Sequence, residues 1–132
     1  MKVHFKGTRG SIPTSPCALE TREKVISALM AARGKDLRSE RQIREFVEKQ
    51  LPFQHGASYG GNTACVHVET GSDEYLVMDG GSGLRVFGQE IKGQGVTGAT
   101  FHLFLSHLHY DHIQGIPFFA PAYENGNKII IH

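Results

Sequence analysis

The stretch Ser106-His107-Leu108-His109-Tyr110-Asp111-His112-Ile113-Gln114-Gly115 gathers three of the chain's eight histidines and one aspartate within six residues. His107 and His109 are two apart, so an extended backbone aims both side chains the same way. Asp111 and His112 follow where the chain must turn. Imidazole nitrogen and carboxylate oxygen are both zinc ligands, so four donors on one short turn can serve two adjacent metal ions. A lone histidine after a strand carries no such meaning; the spacing does.

Immediately upstream, Thr100 to Ser106 (TFHLFLS) is a near-continuous apolar run, as in a strand buried on both faces. Such a strand is a rigid base for a site. Downstream, Ile113 to Ala122 is expected to start as a helix that Pro117 and Pro121 keep short, and Lys128 to Ile131 is a β-branched strand directly before His132. Toward the N-terminus, Ala64 to Glu69 and Glu74 to Met78 are strands separated by the turn-rich residues 70–73, which predicts a hairpin. A glycine-rich turn over 79–83, a short helix from Leu84 to Ile91 and a loop from Gly93 to Ala99 complete this half.

Lys2 to Lys6 reads as a first strand with Val3 and Phe5 on one face, broken by GTRGSIP over 7–13. Two helices follow. Ser15 is a good N-cap with Pro16 in the first turn, and Gly34 is a stop. Ser39 opens the second helix with Gln42 three residues on, as in a capping box, and Pro52 ends it. The stripes Val25, Ile26, Leu29, Met30 and Ile43, Phe46, Val47, Leu51 are expected to be core packing. Strands with flanking helices in mixed order predict an α/β (α+β) layered domain.

Composition narrows the function. The 132 residues suit one domain, and 39% hydrophobic with 20% charged residues is globular composition. A net charge of +1 offers no electrostatic case for a nucleic-acid or membrane-surface partner. The mixed charges from Arg33 to Arg44 read as a solvated helix face. No apolar run approaches a membrane span, and no secretory leader is visible. Two cysteines, Cys17 and Cys65, suggest no disulfide framework, so a cytoplasmic setting is the simpler expectation.

HLHYDH at 107–112 resembles the H-x-H-x-D-H motif of the metallo-β-lactamase superfamily, with Gly115 as the glycine that usually follows. GTRGSIP, YGGNTACV (Tyr59–Val66) and DGGSGLR (Asp79–Arg85) are similar to the branch holding ribonuclease Z-like enzymes and cyclic phosphodiesterases. The resemblance implies the N-terminal portion of one αββα sandwich over residues 1–132, with a helical insertion at about 16–51. It implies that His107 and His109 bind a first zinc and Asp111 and His112 a second, with manganese or iron as alternatives. Asp111 would also orient the attacking zinc-activated hydroxide. Asp79 would stand behind the ligands and orient one of them, besides forming the turn before Gly80. A phosphate cradle at Gly80, Gly81 and Gly83 is a weaker expectation. The implied activity is hydrolysis of a small or cyclic phosphodiester. The alternatives are a thioester hydrolase resembling glyoxalase II, and a non-catalytic truncated fragment.

The family's remaining ligands come from later in the chain than HLHYDH. Beyond His112 only Tyr123, Glu124, Lys128 and His132 are ionisable here, and His132 sits at a strand end outside any matched motif. The isolated chain is therefore expected to bind zinc weakly, to lack activity alone, and either to self-associate through an uncovered sheet or to be a truncated or clipped product. His4, His55, His67 and His102 have no partner pattern and are expected in packing or at the surface.

Overall fold

Five strands align in one sheet in chain order, in a computed structural model that describes all 132 residues. They are β1 (Lys2–Gly7), β2 (Cys65–Glu69), β3 (Glu74–Met78), β4 (Thr100–Phe104) and β5 (Lys128–Ile131). The first three pair antiparallel; β3, β4 and β5 run parallel. Helices α1 (Ala18–Ala32), α2 (Glu40–Lys49), α3 (Phe53–Gly56), α4 (Gly83–Gly93) and α5 (Tyr110–Ile113) make the fold mixed α+β. No helix is long and apolar enough to cross a membrane.

The chain forms two units, residues 1–14 with 60–132 and residues 15–59. In the first, the predicted hairpin forms between β2 and β3. α4 then crosses back so that β4 lies parallel to β3. α4 buries Leu84, Phe87 and Ile91, which cluster with Cys65, Val77, Phe101, Leu103 and Phe119. The rings interlock: Phe101 meets Phe119 edge-on at 5.2 Å and stacks with Tyr75 at 4.8 Å.

β4 corrects one expectation. Only Phe101 and Leu103 are buried, while His102 and Phe104 on the other face stay partly open. The TFHLFLS run is thus buried on one face. The register sets two rows across that second face, Val3–Val68–Leu76–His102–Ile130 and Phe5–Val66–Met78–Phe104. Phe5 is 71% exposed at its edge.

In the second unit, α2 starts at the predicted Ser39, whose hydroxyl accepts from the Gln42 amide while Gln42 reaches back to Ser39 N. The Glu40–Arg44 and Glu45–Lys49 pairs lie along its solvated side. α1 starts two residues later than expected, with Cys17 as N-cap. The reason is reciprocal: Glu20 accepts from Cys17 N at 2.7 Å, whereas a cap at Ser15 would put Ala18 at that position, with no acceptor to offer. Gly34 ends the helix at φ 75°. The expected core stripe of α1 is not core, for no α1 residue is buried. In α2 only Phe46 is buried, and Ile43 and Val47 remain exposed. A unit of about this length encloses little volume relative to its surface.

Candidate metal centre

The site begins with two parallel strands that end at the same edge. Asp79 follows β3 and Ser106 follows β4, and the Asp79 amide still donates to the Phe104 carbonyl at 2.9 Å. Asp79 then takes φ 61°, the one non-glycine residue with positive φ. That turn directs its carboxylate back across the strand ends. Oδ1 accepts from the Ser106 amide at 2.9 Å and the Ser106 hydroxyl at 2.8 Å, and Oδ2 pairs with His112 Nδ1 at 2.9 Å. Burial alone would raise the Asp79 pKa, but the Ser106 bonds and the His112 pairing outweigh it and hold the carboxyl below its ordinary value. Asp79 therefore forms the turn and also ties Ser106 to the His112 ring.

The histidine segment is extended through His109, then makes one helical turn, α5, closed by Gln114 N to Tyr110 O at 2.8 Å. This brings the rings together. The His107 ring lies 4.5 Å from that of His109 and 4.1 Å from that of His112, centroid to centroid. His112 Nε2 is 3.3 Å from Asp111 Oδ2. Asp111 is nearly buried, at 5% exposure. His107, His109, Asp111 and His112 thus form one cluster over Asp79. His132 and Glu124 stand outside it: His132 stacks on Phe104 at 4.3 Å, and Glu124 pairs with Lys92.

Ser106 is the contributor that sequence reading passed over. Its hydroxyl donates to Asp79 and lies 3.0 Å from His107 Nδ1 and 3.3 Å from His112 Nδ1. A hydroxyl directly between a strand end and the first histidine was the available signal. The other histidines stay apart from the cluster. His67 stacks between Phe87 at 4.6 Å and His4 at 5.4 Å, while His102 contacts His132 at 3.0 Å. Cys65 offers no nucleophile, because burial pushes its thiol up to about 12. Both cysteines are free.

The glycines around the site serve packing. A side-chain carbon on Gly115 would sit 2.0 Å from the Gly81 carbonyl oxygen, and one on Gly81 would sit 2.4 Å from that of Asp111. Their amides are also engaged: Gly80 N donates to His112 O, Gly81 N to Ala64 O and Gly83 N to Thr63 O. A phosphate cradle at Gly80, Gly81 and Gly83 is therefore ruled out as placed, since its donors are spent. Thr63 is fully buried. It bonds no local backbone but ties distant segments: its hydroxyl accepts from the Ser82 amide at 2.7 Å and the Gln114 side chain at 2.9 Å.

The donor types suit a divalent cation, with three imidazoles and a carboxylate on one turn. As the side chains stand, no three His, Cys, Asp or Glu groups converge as a ligand set. His112 and Asp111 instead satisfy each other and Asp79. In comparison with known proteins, no family model, curated protein or solved structure matches the chain.

Proposed function

We propose that this chain belongs to a metal-dependent hydrolase of the metallo-β-lactamase type acting on small or cyclic phosphodiesters. The observation that carries the proposal is the cluster of His107, His109, Asp111 and His112 on one turn, with His112 held from behind by Asp79. His107 and His109 would hold one zinc ion, and Asp111 and His112 a second. Manganese or iron are alternatives with the same donors. Bound there, such ions supply Lewis acidity and a water acidic enough to be nucleophilic near neutral pH.

The chain's own residues prepare that chemistry. The Asp79–Nδ1 contact sets which nitrogen of His112 is free to ligate, and a carboxylate behind a ligating imidazole raises its basicity. Ser106 gives the Asp79 carboxylate two further donors and so fixes its orientation. Asp111 has one oxygen 3.3 Å from His112, a pairing that a cation between them would replace. Its second oxygen would be left to orient the attacking water.

The test is zinc titration by calorimetry, followed by turnover of bis(p-nitrophenyl) phosphate, a 2′,3′-cyclic nucleotide and a glutathione thioester with zinc or manganese. In a full-length version that supplies the remaining ligands, metal-dependent cleavage of the diesters, lost in Asp111→Ala and His112→Ala, is the expected result. Thioester turnover without diester cleavage would replace the proposal with a thioesterase. Unchanged zinc uptake in all four ligand-to-alanine variants would refute the site.

A further inference from the structure

Next to the histidine turn lies a cavity of about 220 Å³ lined by Ser82, Arg85, Tyr110, Gln114, Gly115 and Phe118. Segments far apart in sequence build it. Ser82 and Arg85 come from DGGSGLR, and Tyr110, Gln114 and Gly115 from the histidine segment. Thr63 of YGGNTACV bonds to Ser82 and Gln114 and so fixes two lining residues from behind. Tyr110 lies between His109 and Asp111, so the cavity opens one residue from two members of the candidate metal centre.

The lining chemistry is selective. Tyr110 and Phe118 are 74% and 64% exposed, so aromatic surface is presented rather than packed away. Arg85 is exposed on α4, and its guanidinium has no ion-pair or hydrogen-bond partner. Gln114 spends its amide nitrogen on Thr63, which leaves Oε1 as an acceptor. Aromatic faces stack on planar rings, and a guanidinium holds anionic oxygens through paired N–H donors. The cavity is smaller than the roughly 300–1,000 Å³ that encloses a whole drug-sized ligand. It has room for one ring with its substituents.

We propose that this cavity is a subsite for a planar aromatic group joined to a phosphate, with Tyr110 and Phe118 against the ring and Arg85 on an anionic oxygen of the same ligand. This rests on the hydrolase reading and deepens it, by making aryl and heteroaryl phosphate esters preferred over alkyl ones.

The test separates the two ideas. Binding of phenyl phosphate, methyl phosphate, phenol and inorganic phosphate is followed by chemical-shift perturbation on the chain in EDTA, where no metal contributes. Phenyl phosphate should bind about tenfold or more tighter than methyl phosphate and shift Tyr110, Phe118 and Arg85 resonances. Arg85→Ala should cost about tenfold for phenyl phosphate with phenol unaffected, and Arg85→Lys should recover only part of it. Tyr110→Ala should weaken phenyl phosphate and phenol alike. Equal affinity for phenyl and methyl phosphate, or full affinity in Arg85→Ala, overturns the subsite. Ring binding that survives while a metal-loaded full-length version cleaves no diester upholds the cavity and sinks only the hydrolase. Diester cleavage undiminished in Arg85→Ala and Tyr110→Ala does the reverse.

Discussion

Asp79 occupies a backbone region that most L residues avoid, at a cost of about 1 kcal/mol or more. Aspartate tolerates it better than most, and three contacts from its carboxylate offset the strain. Asp79→Ala should therefore destabilise by about 2–3 kcal/mol in urea unfolding, since it leaves Ser106 N and His112 Nδ1 without their acceptor. Zinc affinity should fall about 10–100-fold. Asp79→Asn, which keeps the turn and one acceptor oxygen, should recover most of the stability but not the zinc affinity. His67 sets a second expectation. Burial first, then the electrostatic influence of nearby His4 and Lys6, lowers its pKa despite Glu69 and Glu90. The unfolded chain thus binds the His67 proton more readily, so stability is complete above about pH 6.5 and declines as pH falls toward the depressed folded value. His67→Phe should flatten that decline in thermal melts between pH 7 and pH 5, and an unaltered slope would remove His67 as its source. The donors of the candidate site were legible because metal chemistry needs particular residue types at a particular spacing. Ser106 and Thr63 were not, because a hydroxyl's partner lies across the sheet and leaves no local pattern.

Among elements, the strands were the easiest to read. β3 and β5 have the predicted boundaries, since β-branched and aromatic runs between turn residues have few other uses. α2 was equally plain through its Ser39–Gln42 capping box. α1 was harder, because periodicity shows that a stripe exists and says nothing about what covers it. The α1 stripe of Val25, Ile26, Leu29 and Met30 is in fact exposed. The turns at the site follow a different logic: three backbone segments pass so close that only glycine fits. Gly115→Ala would put a carbon 2.0 Å from the Gly81 carbonyl oxygen, whereas at Gly10 there is nothing within 4 Å. Gly115→Ala should destabilise by about 3 kcal/mol or more and displace α5. Gly10→Ala should change stability by less than about 1 kcal/mol. Similar urea midpoints for the two would contradict the close packing.

At the scale of the whole molecule, the two rows on the second face of the sheet, apolar but for His102, form a partly open surface. Val3, Phe5 and Met78 on these rows are exposed and Val66, Val68, Leu76, Phe104 and Ile130 half-buried, an apolar surface of the kind that a second copy covers. Sedimentation should show concentration-dependent self-association, and Phe5→Lys, at the exposed edge, should shift it toward monomer. A monomer at every concentration would mean the rows are not a contact surface. The order of the strands has a kinetic meaning as well. Every strand pairs with the next in the chain, but β1 reaches β2 only after residues 8–64 have been bridged. Closing that span costs about 2 kcal/mol more chain entropy than the turn over 70–73. β1 and β5 are the two edge strands, each paired with one neighbour in the sheet. The expected early excursion from the native state is therefore a peeling of β1, with the inner strands still paired. In hydrogen exchange, the β1 amides that bond to β2 should trade their protons well before those of β3 and β4, so the chain comes undone from its beginning.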